Sequence, residues 1–463
     1  MKFLFVWLFP LQLFAQSPSI LFKNVNIIDV EKGKVISNQH VLIEGNRIKT
    51  ISSKSITVKR ATIINGSGKY LIPGLWDMHV HVFNNADHMS PNAWHFPLFL
   101  ANGVTSVREM WTKPQSMNDI KRWRKQLHQK PGTVPRFAAV GTLVDGSPAI
   151  YKESDSVTNA TEARAMVRQV KAGGVDFFKV YSNLSREAYL TIADEAKKSN
   201  FPFAGHAPHS MTLEEVSNAG QRSVEHIGWY KLLIDFSSDA QKFRRLKENE
   251  WTPELRMAVL QSFSKDSCRR IASIFAKNGT RFCATSVVLH ASILRDDTSI
   301  IRDERLQYVP ENEIKNWMSI IEGFNTKTRP VRELRFQISL NMIKIMHDEG
   351  VQLLAGTDLG NSFIYPGSSV HDELEYFVAA GLSPLAALRT ATINPAVFLN
   401  KQKELGSIKA GKLADLVLLD ANPLTNINNI RKITAVVANG KLLQRKYLDN
   451  LLILAKKRAK KMN

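Results

Sequence analysis

The sequence contains little cysteine: only Cys268 and Cys283 occur among its 463 residues. Two cysteines are too few for a disulfide scaffold, and two unpaired thiols explain them at least as well as one disulfide bond. The chain also lacks internal repeats and low-complexity stretches. With 44% hydrophobic and 22% charged residues, it is too apolar to be disordered. We therefore expect one large folded domain and a smaller one.

The apolar run at the N terminus is too short to cross a membrane. Residues 1–15 place Lys2 before a run that ends at Ala15, and the polar Gln16 and Ser17 follow. A spanning helix needs ~20 apolar residues, so the segment is typical of a signal peptide rather than of a membrane anchor. No cysteine follows the expected cleavage point, which leaves lipid attachment without support. We predict a secreted or periplasmic protein with no stable membrane anchor.

Acidic residues are too few to balance the basic ones: 42 stand against 62, and the formal net charge is +20. Part of the excess lies in the C-terminal run 456–461, a pattern typical of a solvated helix face or a frayed tail. A nucleic-acid-binding module would interleave basic residues with aromatic ones, and none is recognisable. We therefore expect no nucleic-acid partner. Attraction to anionic surfaces or acidic substrates is a weaker hypothesis.

Both ends of the chain carry a β-strand pattern. Residues 20–64 alternate apolar and polar side chains in short runs, and the same pattern returns at 414–419 and 433–437. We predict that residues 16–70 and 401–463 form one small composite β-sandwich, the second part ending in the basic tail.

Between these ends, residues 71–400 alternate short apolar runs with helical stretches, which is typical of βα units. Eight such units predict a (β/α)8 TIM barrel of the α/β class. The segment exceeds the ~250 residues typical of that fold, which allows insertions in the βα loops. The charged stretches 229–277 and 296–335 are the candidates, either as lids over the barrel mouth or as plain surface helices. The eight runs are 74–82, 103–110, 136–144, 175–181, 201–207, 223–227, 281–289 and 351–357.

His79 and His81 stand in LIPGLWDMHVHV, where we expect the first barrel strand to end. A strand repeats every two residues, so both imidazoles lie on the same face and can chelate a metal. The pair alone is weak evidence, because H-x-H also arises by chance on exposed strands. Its position strengthens the metal hypothesis, since barrel enzymes place catalytic groups at the carboxyl ends of their strands.

Three further residues end strand-like runs: His206 in FPFAGHAP, His226 in QRSVEHIG and Asp358 in VQLLAGTD. One such histidine is more often structural, but four of the twelve histidines at successive strand ends favour a metal site. Asp358 ends the eighth run, which neighbours the first in a closed barrel, so its carboxylate can reach the metal of the first pair. Its alternative role is to cap the following helix.

Lys179 lies in VDFFKVYS with Phe177 and Tyr181 on its own face of the strand, where burying an ammonium group is costly. A neutral lysine there can take up carbon dioxide and become a carbamate, whose two oxygens can bridge two metals. A lone lysine in a strand is more often a surface residue whose stem snorkels to water. The histidines favour the carbamate.

Together these motifs resemble the metal-dependent amidohydrolase superfamily, in particular its prolidase-like and imidazolonepropionase-like branch. The similarity runs along most of the chain through PGLWDMHVH, GVTSVRE, GGVDFFKVYS, AGHAP, SVEHIG and AGTD, in that order. LSPLAALRTATINPAVFL and LGSIKAGKLADLVLLDANPL are similar to the last barrel helix and to the return strand of the family's small β-sandwich. This set of motifs, in this order, is specific for the superfamily.

The resemblance implies a binuclear metal centre that hydrolyses a carbon–nitrogen bond in an amide, cyclic amide or peptide-like substrate. A hydroxide shared by the two metals would attack the carbonyl, and Asp358 would pass its proton to the departing nitrogen. Zinc is the expected metal, because imidazole and carboxylate ligands suit it. The implied ligands are His79 and His81 for one metal, His206 and His226 for the second, carboxylated Lys179 between them, and Asp358 on the first.

Other polar residues stand near the expected barrel mouth. Tyr181 and Tyr230 can donate hydrogen bonds to a substrate or oxyanion, although core packing is the commoner role for each. His290 ends the predicted seventh strand, where the family often places a substrate contact, and His371 is expected to begin or orient the last helix. The third strand, in FAAVGTLVDGSP, lacks the histidine of prolidase-like relatives, which weakens the case for recognition of a dipeptide carboxylate.

Other functions are compatible with the sequence. An ester, lactone or phosphoester hydrolase could use the same centre, because fold does not determine function. Deaminases generally use one metal and no bridging lysine, so Lys179 argues against that class. A binding protein that has lost its chemistry would be expected to lose some of the six site residues. We predict a small-molecule or short-peptide substrate, and a homo-oligomer is compatible with the sequence.

Overall fold

The computed structural model describes residues 19–83, 93–226, 230–246, 251–294, 298–322 and 328–461. The predicted signal peptide, residues 1–15, lies outside them. Within the described ranges, no helix combines the length and the apolar character needed to cross a membrane.

The two ends of the described chain meet in one eight-stranded sheet. Ile72 lies opposite Val417 in an antiparallel pair, which joins the N-terminal and C-terminal parts directly. Apolar side chains such as Phe22, Leu71 and Leu416 form the core of this sheet. Its strands are β1 (Ser19–Asp29), β2 (Lys34–Glu44), β3 (Arg47–Ser52), β4 (Ala61–Asn65), β5 (Tyr70–Pro73), β15 (Leu416–Leu419), β16 (Ile433–Ala438) and β17 (Lys441–Gln444). Their order is β17-β16-β15-β5-β1-β2-β3, with β4 beside β1.

The middle of the chain forms a nearly closed parallel barrel of eight strands, so the predicted TIM barrel is confirmed. The Met78 amide donates to the Ala355 carbonyl at 2.8 Å and thereby connects the first strand to the eighth. The barrel strands, in spatial order, are β6 (Leu75–Val80), β7 (Val104–Glu109), β8 (Arg136–Gly146), β10 (Phe177–Val180), β11 (Phe203–Gly205), β12 (Ser223–Glu225), β13 (Arg281–Cys283) and β14 (Leu353–Leu354). A short additional strand, β9 (Asp155–Val157), pairs with β8.

Several of the helices that pack on the barrel begin at capping residues and bury one apolar stripe. Thr212 forms a capping box with Glu215, and Asn159 and Ser185 cap their own helices through side-chain oxygens. The helices are α1 (His95–Ala101), α2 (Met117–Gln129), α3 (Ala160–Ala172), α4 (Arg186–Lys198), α5 (Leu213–Asn218), α6 (Tyr230–Leu233), α7 (Ala240–Arg244), α8 (Pro253–Gln261), α9 (Lys265–Asn278), α10 (Ser286–Leu294), α11 (Glu311–Glu322), α12 (Arg329–Asp348), α13 (Ser368–Ala379), α14 (Pro384–Thr390), α15 (Ile393–Phe398) and α16 (Arg445–Ala459).

The predicted seventh strand was too long. Strand β13 ends at Cys283, and the rest of the predicted run lies in α10, which starts at Ser286. This helix is buried on most of its surface, so it has no polar stripe that would reveal a helical period. Its N terminus is held by the Glu373 carboxyl group, whose oxygens accept from the amides of Ser286 at 3.0 Å and Val287 at 2.9 Å.

The first predicted insertion divides into two parts. Helix α9 packs between α5 and α12 as a regular barrel helix. The α6–α8 insertion, residues 230–261 as far as they are described, precedes it. Both cysteines are buried and free. The basic C-terminal run lies in and just after α16, whose Leu448, Leu451 and Ala455 are buried while its lysines are exposed, as a solvated helix face requires.

Candidate metal centre

His79 and His81 lie at the carboxyl end of β6 with their rings 5.2 Å apart. The side chain of His79 is fully buried, and that of His81 is 12% exposed. Asp77 connects the end of β6 to the eighth strand region: its carboxylate accepts from the Thr357 hydroxyl at 2.6 Å, from the Thr357 amide at 3.0 Å and from the His79 amide at 3.2 Å. These hydrogen bonds hold the two strand ends in register beside the histidines.

Asp358 faces three histidines at once. Its Oδ1 lies 3.2 Å from His79 Nε2 and 3.3 Å from His81 Nε2, and its Oδ2 lies 3.5 Å from His226 Nδ1. Its backbone has a φ of 55°, a left-handed conformation, and its amide donates to the His79 carbonyl at 2.8 Å. The next described helix starts only at Ser368, so Asp358 is not a helix cap.

Lys179 is buried inside the barrel, with 1% of its surface exposed, so it does not snorkel to water. Its Nζ lies 3.4 Å from His79 Nε2 and 5.6 Å from the centre of the Tyr181 ring. Burial lowers the pKa of Lys179 to about 8, although the nearby carboxylates of Asp358 and Glu225 act in the opposite direction. A larger fraction of this amine is therefore neutral at pH 7 than of an exposed lysine.

His206 and His226 follow β11 and β12, and their ring centres lie 4.8 Å apart. His206 Nδ1 lies 2.8 Å from Ser182 Oγ, and His226 Nδ1 lies 3.0 Å from Thr285 Oγ1. Burial lowers the pKa of both imidazoles, that of His206 to well below its usual value. This shift favours the neutral form of each ring, which is the state that binds metals.

The donor atoms fit a divalent metal. Ligand atoms of His79, His226 and Asp358 all lie within 4.8 Å of one another. Among the described residues, the buried Nε2 of His206 has no hydrogen-bond partner, so this atom is available as a ligand. Burial raises the pKa of Asp358, but His226, His79 and the hydrogen bond with His81 lower it more, so the carboxylate is ionised. Neutral imidazoles beside an ionised carboxylate form a donor set that zinc prefers.

Glu225 and Arg108 support this centre and were not identified from the sequence. Glu225 Oε2 lies 3.0 Å from His79 Nδ1, while Arg108 Nη2 donates to both oxygens of the same carboxylate at 2.9 and 2.8 Å. The Arg108 Nε donates to the Met78 carbonyl at 2.6 Å, and the Ser223 hydroxyl also donates to Glu225. The sequence did contain a signal for both residues, because a charged residue inside an apolar strand must be paired when it is buried.

Glu109 and Cys283 also lie near the centre but are poorer candidates for metal ligands. Glu109 accepts from the amides of Val82 at 2.7 Å and Trp111 at 2.9 Å, and burial raises its pKa to about 8. Cys283 lies near His79 and Glu225, but burial raises the pKa of its thiol well above the usual value. A protonated thiol beside a carboxylate that already pairs with arginine is a poor metal site.

The remaining predicted residues fall in different places. Tyr181 lines a cavity beside His206 and His226, with its ring centre 3.9 Å from that of His206. Tyr230 starts α6, and its side chain lies outside the described part of the structure. The structure does not bring His290 to the cluster: it lies in α10, where its ring packs against Phe336 and Tyr376 at 5.3 and 4.9 Å. His371 lies in α13, and its Nε2 lies 2.9 Å from the Asn102 carbonyl.

Comparisons with known proteins agree with this architecture. The profile of the amidohydrolase family matches residues 70–443. The chain is 22% identical over 458 residues to the 5-methylthioadenosine/S-adenosylhomocysteine deaminase of Clostridium tetani, covering 95% of this chain and 94% of the relative. The solved structure of a bottromycin amidohydrolase has a TM-score of 0.75 at 23% identity, covering 96% of this chain and 91% of that one. A Xaa-Pro dipeptidase with bound methionine has a TM-score of 0.65 at 20% identity, covering 92% and 100%.

The likeness to these solved structures concerns the fold. The family match spans most of the chain, including every strand of the barrel, and confirms the superfamily expected from the motifs. The chain therefore belongs to the amidohydrolase family, and it is a hydrolytic enzyme of carbon–nitrogen bonds.

Proposed function

We propose that this enzyme is a metal-dependent hydrolase that cleaves an amide, cyclic amide or peptide-like bond at the mouth of the barrel. One observation carries the proposal: the Asp358 carboxylate lies 3.2 to 3.5 Å from nitrogens of His79, His81 and His226, with Lys179 Nζ 3.4 Å from His79 Nε2. Two divalent ions, zinc by preference, would supply Lewis acidity that polarises the scissile carbonyl and lowers the pKa of water. The proposed ligands are His79, His81, Lys179, His206, His226 and Asp358.

Lys179 contributes as a carbamate in this proposal. The lone pair of its neutral amine attacks the carbon of carbon dioxide. An N–C bond forms while one C=O π bond breaks and its electron pair moves to oxygen, and one proton leaves the nitrogen to water. The product carries a negative charge where the lysine would carry a positive one. That change of sign suits a position 3.4 Å from a ligand histidine, where an ammonium group would repel a cation.

Asp358 holds and moves the proton. It accepts a proton from the attacking water and delivers it to the departing nitrogen, so the amine leaves in neutral form. The fixed backbone of Asp358, bonded through its amide to the His79 carbonyl, keeps the carboxylate aimed at the histidines throughout. With 14% of its side chain exposed, Asp358 is largely shielded from bulk water, which strengthens each electrostatic interaction at the site.

A deaminase is the second candidate, because the Clostridium tetani relative is one. Deamination also breaks a carbon–nitrogen bond with water, and in that reaction Asp358 could likewise transfer the proton from water to the departing nitrogen. A buried lysine against the histidines is the feature that favours the bridged amide hydrolase. An ester, lactone or phosphoester hydrolase on the same centre is the third candidate, since the centre attacks other electrophiles as well.

Metal content and activity of two lysine variants test the proposal. The protein is purified without chelator and analysed for metals, then assayed on amides, dipeptides, adenosine derivatives and lactones, alongside Lys179→Ala and the exposed-lysine control Lys197→Ala. We expect close to two metals per wild-type and control chain, and joint loss of metal and amide hydrolysis in Lys179→Ala. One metal or none in the wild type, unchanged by Lys179→Ala, would contradict the bridged centre. Release of ammonia from adenosine derivatives alone would instead identify a deaminase.

We also propose that the protein is exported after removal of residues 1–15. The polar Gln16 that follows the apolar run supports this cleavage point. The mass of the intact protein recovered from extracytoplasmic and cytoplasmic fractions of an expressing cell tests it. A full-length chain found only in the cytoplasm would contradict the proposal.

A further inference from the structure

A cavity of about 400 Å³ opens beside the metal-ligand histidines, and its volume is that of a small-molecule site. His206 and His226 line it. From these residues one wall continues through aromatic rings: the Tyr181 ring centre lies 3.9 Å from that of His206, and the Tyr151 ring lies 5.8 Å from Tyr181. Ile150 also lines the cavity.

A second wall belongs to the α6–α8 insertion and is also largely apolar. It carries the side chains of Leu232, Ile234, Phe243, Leu246 and Trp251.

The charged residues of this wall are already engaged. Arg244 pairs with Asp235, and the Asp235 carboxylate also accepts from the Leu213 amide at 2.6 Å. Arg256 has an interaction partner as well. Within the described part of the insertion, the wall therefore presents apolar surface to a ligand rather than unpaired charge.

The aromatic wall is partly open to solvent, which costs free energy. Tyr151 is 44% exposed and Ile150 is 48% exposed, although both are large hydrophobic side chains that line the cavity. A ligand that covers them removes this apolar surface from water, which is favourable in proportion to the area covered. Aromatic ligands gain further from offset or edge-on contacts with the tyrosine rings.

We propose that this cavity binds a bulky apolar group of the amide substrate, preferably an aromatic ring, and thereby selects hydrophobic amides. The inference rests on the proposed hydrolase function for the location of the scissile bond, next to His206 and His226. The selected group lies between the Tyr151 and Tyr181 rings on one side and the α6–α8 insertion on the other. Tyr151, Leu246 and Trp251 are the specificity residues of this subsite.

Matched substrates and variants test the subsite. The metal-loaded full-length enzyme is assayed on dipeptides that share one residue and carry phenylalanine, leucine, alanine or aspartate as the other. We expect kcat/KM to be at least tenfold higher for the phenylalanine substrates than for the alanine ones, and lowest for aspartate. Equal kcat/KM across the series would overturn the inference while leaving the hydrolase function intact.

The variants separate the aromatic wall from a general loss of activity. Tyr151→Ala is expected to raise KM for phenylalanine substrates about tenfold, well beyond its effect on the alanine substrates, and Tyr151→Phe, which keeps the ring, restores KM. Leu246→Asp, which adds a charge to the other wall, is expected to have the same selective effect. Tyr447→Ala and Ile453→Asp, at exposed positions of α16, are the matched controls. A Tyr151→Ala enzyme with unchanged selectivity would contradict the proposed role.

Direct binding distinguishes failure of the subsite from failure of the hydrolase function. Calorimetry compares N-acetylphenylalaninamide with N-acetylaspartic acid α-amide, two probes of the same backbone. Selective binding of the phenylalanine probe, lost in Tyr151→Ala, supports the subsite even if no amide is hydrolysed, in which case the hydrolase function is the part that fails. Equal binding of both probes overturns the subsite.

Discussion

Glu225 Oε2 lies 3.0 Å from His79 Nδ1, on the far side of the imidazole from the Nε2 that faces Asp358. Arg108 donates to both oxygens of the same carboxylate, so the acid is held in one position. A carboxylate that accepts from Nδ1 keeps the proton on that nitrogen and leaves Nε2 free for a metal. The orientation of the His79 ring is therefore fixed by buried side chains inside the barrel.

Replacing Glu225 by Gln should weaken metal binding. Without the charged acceptor, His79 is no longer held in one tautomer and one orientation. Hydrogen-bond partners of metal ligands contribute roughly 10- to 100-fold to metal affinity. The Arg108 guanidinium is also left without its counter-charge, which should cost about 3–5 kcal/mol of stability. Competition with a chelator on folded protein measures the first effect and urea unfolding the second. Glu187→Gln, at an exposed position of α4, should change neither value.

Asp358→Asn should reduce kcat by roughly 10²- to 10⁴-fold, the usual contribution of a general acid–base group. The amide keeps the shape of the side chain but cannot hold the transferred proton. We expect KM to change much less than kcat, since the proposed apolar subsite lies elsewhere in the cavity. Steady-state kinetics on the best amide substrate provide the comparison, with the highly exposed Asp266→Asn as control. A variant with wild-type kcat would show that another group moves the proton.

Reconstitution of the metal-free protein should depend on pH through Lys179. Its pKa lies at about 8, lowered by burial, and only the neutral amine takes up carbon dioxide. Below this pKa the neutral fraction rises roughly tenfold for each unit of pH. At a fixed partial pressure of carbon dioxide, the rate of recovery of activity with zinc should therefore rise from pH 6 and level off above about pH 8. A rate that is flat between pH 6 and 8 would argue against uptake by Lys179.

Glu373 should make the stability of the protein depend on pH. Burial raises the pKa of this carboxyl to about 8, above the value of 4.5 for an unperturbed glutamate. Between these two values the unfolded chain is ionised at this residue while the folded chain keeps its proton, so stability falls as pH rises, by ~1.4 kcal/mol per unit. The Glu373→Gln variant lacks this dependence. Urea unfolding of both proteins at pH 5, 6.5 and 8 checks the prediction, and parallel stability curves would contradict it.

Much of the architecture follows from local rules that are visible in the sequence. Alternation of apolar runs with helical stretches predicted the barrel, and the period of two along a strand put His79 and His81 on one face. Parallel strands bring their carboxyl ends to the same side, so His206, His226 and Asp358 could be expected near them. Each of these inferences needs only the position of a residue within its own strand.

Local rules failed where burial removed the pattern on which they depend. The residues after Cys283 were predicted to continue the strand, but most of them lie in α10. The prediction failed because the buried residues of this helix leave no polar stripe. His290 was displaced with it from the expected strand end to a helix that packs on Phe336 and Tyr376. Contacts with residues distant in the sequence support the helix, among them the hydrogen bonds of the Glu373 carboxyl group at its start.

The sequence by itself determined the fold class, the family and the residue types that gather at the strand ends, since periodicity and motif order are properties of neighbouring residues. Only the tertiary structure determines which residues hold the proposed metal ligands in place and what shape the cavity has. Arg108 and Glu225 are 117 positions apart, and the Tyr151 ring faces an insertion that starts at residue 230. Such contacts exist only after the barrel has closed, because closure brings the ends of all its strands within reach of one another.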